Sequence, residues 1–205
     1  LLPYTTLFRS LLVVVLILGL LSSLAVGVFT TQVERARRAA ARSDIATFEL
    51  AVERYHLDVG QYPPSGSQSQ SGDAVGSGYL QLALMHSMSA NSSNTTGTLW
   101  KGPYITVKKE KLGNLGGVML EELTVPPTPD DVQLLDPWRQ PYRYIRRGDY
   151  PTLGGTVLPS THPYAVTEIY YNPNTFQILS IGNNGTTLPT PNQGTDGDDV
   201  TNFGQ

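Results

Sequence analysis

Residues 11–29 read LLVVVLILGLLSSLAVGVF, and residues 30–60 continue as TTQVERARRAAARSDIATFELAVERYHLDVG, with no Pro and no Gly before Gly60 in the second stretch. A helix over 11–29 is about 28 Å long, which is roughly the thickness of the hydrocarbon core of a bilayer. We therefore predict a transmembrane segment over 11–29 that continues as one helix to about residue 57. A cleaved signal peptide is the alternative, but its apolar region usually has about 7–15 residues and a break follows it.

The second stretch predicts an amphipathic stalk over 30–60. Ile45, Phe48, Val52 and Tyr55 follow one another at intervals of three or four residues, which places their side chains on one face of a helix. We expect this stripe to pack on a globular domain formed by residues 61–205. The part of the stalk before Ile45 has no apolar face left for that domain, so neighbouring molecules must cover it.

The charges around the apolar run are asymmetric. Arg35, Arg37, Arg38 and Arg42 follow it, and only Arg9 precedes it. The positive-inside rule alone places the arginine-rich side in the cytoplasm. Residues 3–10, PYTTLFRS, are the translation of a common sequencing-adapter end. We therefore expect residues 1–10 to be an artefact that replaces a basic leader.

Composition excludes several classes of function. The chain has 205 residues, a net charge of −3 and no Cys, so it lacks the basic surface of a nucleic-acid-binding protein, a disulfide framework and a thiolate site. Its histidines are scattered at 56, 86 and 162, and no nucleophile elbow, zinc-protease motif or phosphate loop is present. We expect a protein that is not an enzyme.

Short strands between turns follow the helix. The pattern predicts a short helix over about 79–88 and strands over 143–146, 166–171 and 176–181, with a hairpin turn at 171–174 joining the last two. Asp58 is expected to cap the long helix or form an Asx turn at its end. The predicted class is α+β, with a small antiparallel sheet packed on one long helix.

These residues resemble the major pseudopilin of type II secretion systems, within the type IV pilin-like group. Besides the apolar helix, four motifs occur in the family's order. YHLDVGQYP at 55–63 resembles Y-x-L-D-x-G-x-Y-P, WKGPY at 100–104 resembles W-x-G-P-Y, and DPWRQPYRY at 136–144 resembles D-P-W-G-x-P-Y-x-Y. SIGNNG at 180–185, followed by GDDVTNF at 197–203, resembles the family's C-terminal S-x-G-x-D-G and D-D-I-x-N-W.

The resemblance implies a pilin-like fold and a filament made of copies of this chain, which pushes folded proteins through an outer-membrane channel. It implies a single-pass inner-membrane protein with a periplasmic C-terminal domain. The implied partners are the membrane, minor pseudopilins, the inner-membrane secretion platform and prepilin peptidase, with no nucleic acid. The family's buried Glu would fall at Ser10, so no residue takes that role here. A type IV pilin for adhesion or DNA uptake, and a membrane-tethered hydrolase or binding domain, remain alternatives.

The resemblance also implies a structural calcium ion at the C-terminal corner, a metal that prefers six to eight oxygen ligands. Asn184 stands where the family has Asp, and Phe203 where it has Trp. The loss of a negative charge at 184 should weaken binding unless Asp196 substitutes. The implied ligands are the side chains of Asn184, Asp198 and Asp199, with Asp196 in addition, and the backbone oxygens of Leu179 and Ser180.

Overall fold

A computed structural model describes residues 4–65, 76–86, 99–114, 116–119, 132–149, 152–153, 156–157, 165–166, 169–170, 172, 174–185 and 199–203. For residues 4–7, 23–28 and the described part of 152–170, it describes the backbone alone. The chain divides into two compact units, Leu1–Ala39 (unit 1) and Ala40–Gln205 (unit 2).

One continuous helix, α1, runs from Tyr4 to Val59. It confirms the predicted continuity through residue 57, but it begins before residue 11, inside the segment expected to be an artefact. Gly60 follows the helix with φ of +81°, and its N–H donates to the carbonyl of His56 at 2.8 Å. Because glycine adopts positive φ without a steric cost, this residue allows the chain to leave the helix.

The core of unit 2 forms against one face of α1. The predicted stripe is buried: Ile45 and Phe48 are 3% exposed, Tyr55 1% and Val52 0%. The first fully buried residue of this face is Ala41. The stripe therefore packs on the chain's own domain, as predicted. Its neighbours in the core are Leu80, Ala83, Leu84, Leu112, Val132, Leu134, Tyr142, Tyr144, Phe176, Ile178 and Val200.

A second helix, α2 (Ser77–Met85), packs in the same core. It overlaps the predicted segment 79–88, of which 87–88 lie outside the described residues. Gly76 precedes α2 with φ of +69° and forms an antiparallel bridge with Arg143. A Cβ at position 76 would overlap the carbonyl oxygen of Tyr144, so the start of α2 requires glycine.

The main sheet has three antiparallel strands. β3 (Arg143–Arg146) and β8 (Phe176–Ser180) lie where they were predicted. β3 and β8 pair from Arg143 opposite Leu179 to Arg146 opposite Phe176, and β9 (Val200–Thr201) pairs with the other edge of β8. All five residues of β8 are buried, as expected for a central strand.

The remaining described strands form short antiparallel pairs. β1 (Leu112–Gly113) pairs with β2 (Gln133–Leu134), β4 (Thr152–Leu153) with β5 (Thr156–Val157), and β6 (Ala165–Val166) with β7 (Ile169–Tyr170). Short 3-10 helices cover Lys109–Lys111 and Arg147–Asp149.

The predicted hairpin between the last two strands is wrong. β7 pairs with β6, and β8 pairs with β3 and β9 instead. The turn residues at 171–174 favour pairing between the strands on either side of them. A central strand buried at every position is instead stabilised by partners on both edges, and these come from distant parts of the chain.

Candidate functional site

In unit 1, α1 exposes its apolar side chains. Leu11 through Leu18, Leu20 and Leu21 are each between 49% and 63% exposed, and Phe29 is 68% exposed. An apolar surface of this length is the kind that membranes or other protein chains cover. In the part of the chain that the structure describes, no helix is long and apolar enough to cross a membrane. The side chains of residues 23–28, inside the predicted span 11–29, lie outside the described set.

Asp44 fixes the first turns of α1 within unit 2. Its carboxylate forms an ion pair with the Lys111 ammonium and accepts a hydrogen bond from the Tyr142 hydroxyl at 3.2 Å. The Tyr142 ring contacts Phe48 edge-on, with ring centroids 5.1 Å apart. Burial, and then the negative charge of Asp44, raise the pKa of Tyr142. This contact holds one face of the helix against the 3-10 helix and the sheet.

The C-terminal end of α1 is tied to the WKGPY motif. Asp58 accepts hydrogen bonds from Lys101 Nζ and from the Tyr104 hydroxyl, both at 3.0 Å. The hydrogen bond from Lys101 lowers the pKa of Asp58 most, and the hydrogen bond from Tyr104 lowers it further. Trp100 Nε1 donates to the carbonyl of Ala83 at 2.9 Å. Within the described contacts, Asp58 connects the YHLDVGQYP motif to the WKGPY motif, and the predicted cap or Asx turn is wrong.

Asp136 organises the DPWRQPYRY motif. One carboxylate oxygen accepts the backbone N–H groups of Trp138 and Gln140 at 2.9 and 2.8 Å. The other accepts the Ser180 hydroxyl at 2.6 Å. Asp136 is only 5% exposed, and this burial raises the pKa of its carboxyl despite the hydrogen bonds, which act in the opposite direction. The side chain thereby joins the turn at 136–140 to the end of β8.

A strained residue lies in this turn. Arg139 has φ of +67° and is the one described residue other than glycine with positive φ. The family pattern has Gly at this position, so the sequence contained the signal, but its conformational meaning was missed.

A charged cluster beside the end of β3 was also missed. Arg146 donates to the carboxylate of Asp149 through Nε at 2.8 Å and Nη2 at 3.2 Å, and through Nη1 to the carbonyl of Tyr62 at 3.0 Å. The Ser65 hydroxyl donates to the same carboxylate at 2.7 Å. The spacing of Arg146 and Asp149 could have indicated their ion pair, but no local pattern connects them to Ser65.

The structure brings together only part of the predicted calcium site. Ser180 lies opposite Val200 in the β8–β9 pair, so Leu179, Ser180 and Asp199 lie at the same end of the sheet. Asn184 is exposed in the turn that follows β8, whereas Asp196 and Asp198 lie outside the described residues. Among the residues that are described, no three His, Cys, Asp or Glu side chains form a group that could hold a metal ion.

The described donors still have the chemistry that calcium prefers. They are one carboxylate, one amide oxygen and backbone carbonyl oxygens, which are hard ligands. The Ser180 hydroxyl is engaged with Asp136, so Ser180 would contribute its carbonyl oxygen, as the resemblance implies. The donor type fits calcium, and the number of ligands depends on Asp196 and Asp198. The calcium site stays a prediction.

A small antiparallel sheet packs with the buried face of α1 in unit 2, which places the chain in the α+β class. Residues 28–72 match the family model described as type II secretion system (T2SS), protein G. This match confirms the resemblance for the segment that contains the stalk and the YHLDVGQYP motif.

Among solved structures, the chain is similar to the major pseudopilin from the type 2 secretion system of enterohaemorrhagic Escherichia coli, at 17% sequence identity and a TM-score of 0.34. The similarity covers 84% of this chain and 91% of that chain. No curated protein matches the sequence.

Proposed function

We propose that this chain is the structural subunit of a type II secretion pseudopilus, assembled through α1. The match of residues 28–72 to the protein G family carries this proposal. The matched segment begins in the exposed part of α1 and includes the stripe that is buried in the chain's own core. One helix therefore provides both a surface for neighbouring subunits and the support of the globular domain.

The exposed apolar part of α1 supports assembly energetically. Ten large apolar side chains between Leu11 and Leu21 are about half exposed. Completing their burial in a bilayer or among other helices contributes on the order of 10 kcal/mol per subunit. A gain of this size favours two states, a monomer held in the inner membrane and a filament with the helices at its centre.

In this role, the chain is a single-pass protein of the inner membrane with unit 2 in the periplasm until it is extracted into the filament. Its partners are further copies of the chain, the minor pseudopilins, the secretion platform and prepilin peptidase. The assembled filament pushes folded proteins through the outer-membrane channel. Its role is structural rather than enzymatic.

We also propose that calcium binds at the C-terminal corner through Asn184, Asp196, Asp198, Asp199 and the carbonyl oxygens of Leu179 and Ser180. The ion would neutralise the acidic segment and link the end of β8 to the residues before β9. Its role would be structural, because it would hold the C-terminal segment against the sheet.

Charge introduced into the stalk tests the assembly proposal. Ala39 and Ala40 are exposed, whereas the next residue, Ala41, is fully buried. In a bacterium that expresses the secretion genes, Ala39→Glu or Ala40→Glu should abolish filaments seen by electron microscopy. Because both positions are exposed in the monomer, either charge should leave the thermal transition of the purified chain unchanged.

Two variants serve as controls for this experiment. Lys109→Glu reverses an exposed charge outside α1 and should leave the filaments intact. Ala41→Glu places an unpaired charge in the core and should unfold unit 2, which shows that the assay detects loss of fold. Normal filaments from both Ala39→Glu and Ala40→Glu would refute assembly through this part of the helix.

A further inference from the structure

The turn that follows β8 contains the one Asn-Gly sequence of the chain. Asn184 and Gly185 end the SIGNNG motif, and no other asparagine of the sequence is followed by glycine. Asn184 is exposed at this corner of unit 2. Gly185 has φ of +68°, a conformation that glycine adopts without the steric cost of a Cβ. The turn therefore requires a glycine directly after an exposed asparagine.

The backbone of this pair can react with its own side chain. The main-chain nitrogen of Gly185 attacks the side-chain carbonyl carbon of Asn184 and closes a cyclic imide. The bond from that carbon to the amide nitrogen breaks, and ammonia leaves with the proton of the Gly185 N–H. Water then adds to one of the two imide carbonyl carbons, its bond to nitrogen breaks, and a proton is released. The product at 184 is aspartate or isoaspartate.

We propose that Asn184 is a site of spontaneous deamidation in the folded protein. Gly185 has no side chain to shield the attacking nitrogen, and the exposure of Asn184 admits the water that opens the imide. Asn183 is a natural control, because it is exposed in the same turn but is followed by a residue with a side chain. It should keep its amide while Asn184 reacts.

Deamidation would change the charge of the C-terminal corner. One more negative charge takes the formal net charge of the chain from −3 to −4. Calcium affinity rises with the number of charged ligands, and the family pattern has Asp at 184. A newly made chain would therefore bind calcium weakly at this corner, and an older chain more tightly. The covalent step is independent of calcium, whereas this consequence rests on the calcium site proposed above.

Incubation of the purified full chain tests the covalent step. The folded chain is held at mildly alkaline pH, with a parallel sample in urea, and both are digested with pepsin in acid, where the imide does not form. Mass spectrometry of the fragments should show an oxygen in place of the amide NH at Asn184 and an intact amide at Asn183. Asn184→Gln should stay unmodified, because its longer side chain closes the ring poorly.

Two results of this incubation would overturn the proposal. If Asn184 keeps its amide in the folded chain, the deamidation site is wrong, and conversion in urea alone would show that the turn blocks ring closure. If Asn183 and Asn184 convert at equal rates, Gly185 is not responsible for the reaction.

Calcium titrations of the fresh chain, the incubated chain and Asn184→Asp test the consequence. The increase in Tm with added calcium measures binding to the folded state. One more carboxylate at 184 should lower the midpoint calcium concentration about tenfold, or about 1.4 kcal/mol. Asn183→Asp adds the same charge one residue away and should change the midpoint much less.

These titrations separate the modification from the calcium site. If Asn184 converts and calcium affects none of the chains, the deamidation site stands and the proposed calcium site fails. If the fresh chain and Asn184→Asp have the same midpoint, or if Asn183→Asp and Asn184→Asp shift it equally, the strengthening of calcium binding by deamidation is wrong.

Discussion

Replacement of Arg139 by Gly should stabilise the protein. Arg139 lies in the turn that Asp136 organises, with φ of +67°, and its N–H donates to the carbonyl of Asp136 at 2.9 Å. A residue with a Cβ pays about 1–2 kcal/mol for left-handed backbone conformation. Glycine avoids this cost but loses about 0.5–1 kcal/mol more conformational entropy on folding. We therefore expect Arg139→Gly to raise the free energy of unfolding by about 0.5–1 kcal/mol.

Thermal and urea unfolding, followed by the fluorescence of Trp100 and Trp138, measure this effect. For a chain of this size, about 1 kcal/mol shifts Tm by about 2–4 °C, so the expected increase is about 1–4 °C. Arg139→Ala keeps the Cβ and removes the exposed guanidinium group, so it should leave Tm close to its original value. Arg139→Asn should lie between the two, because Asn tolerates positive φ better than most residues.

Two outcomes would contradict backbone strain at Arg139. If Arg139→Ala stabilises the protein as much as Arg139→Gly, the guanidinium charge and not the backbone conformation is unfavourable. If Arg139→Gly is less stable than the original protein, Arg139 makes a favourable contact that outweighs its strain.

Three further predictions concern the same unit. Burial raises the pKa of Asp136, so its contribution to stability is present below its unfolded pKa of about 3.9 and is lost as the pH rises through the folded value. In urea titrations, Asp136→Asn should therefore gain stability relative to the original protein between pH 4 and 7. A difference in stability that does not change with pH would contradict the raised pKa. Gly76→Ala should unfold the protein or lower Tm severely, because the new Cβ overlaps the Tyr144 carbonyl. Gly60→Ala has open space around the new Cβ and should cost only about 1 kcal/mol. Equal losses of Tm for the two variants in circular dichroism melts would count against the close approach of Gly76 to Tyr144. If calcium is structural, EGTA should lower the Tm of the full chain and added calcium should restore it, while an unchanged transition would remove the calcium proposal.

The fold was predictable where a local period specified the contacts. The spacing of Ile45, Phe48, Val52 and Tyr55 predicted both the helix and the face that is buried. The positions of β3 and β8 were also predictable, as short strands between turns. Their pairing was not predictable, because β8 pairs with strands that are far away in sequence. The turn residues at 171–174 gave a stronger local signal than any property of β3 or β9.

The site was predictable to the extent that motifs marked it. The DPWRQPYRY motif marked the loop at 136–144, and the hydrogen bonds of Asp136 show how this loop is joined to the end of β8. The contact of Asp58 with Lys101 joins two motifs that are 43 residues apart. No spacing within either motif indicates that contact. The contribution of Ser65 to the Arg146–Asp149 pair was hidden for the same reason.

The two parts of α1 are stabilised by different forces. Within unit 2, the buried stripe packs against the sheet and α2, so tertiary contacts maintain the helix. In unit 1, the run contains Val13, Val14, Val15 and Ile17, β-branched residues that are weaker helix formers in water. In hydrocarbon, however, every backbone N–H and C=O must be paired within the segment, which strongly favours a helix.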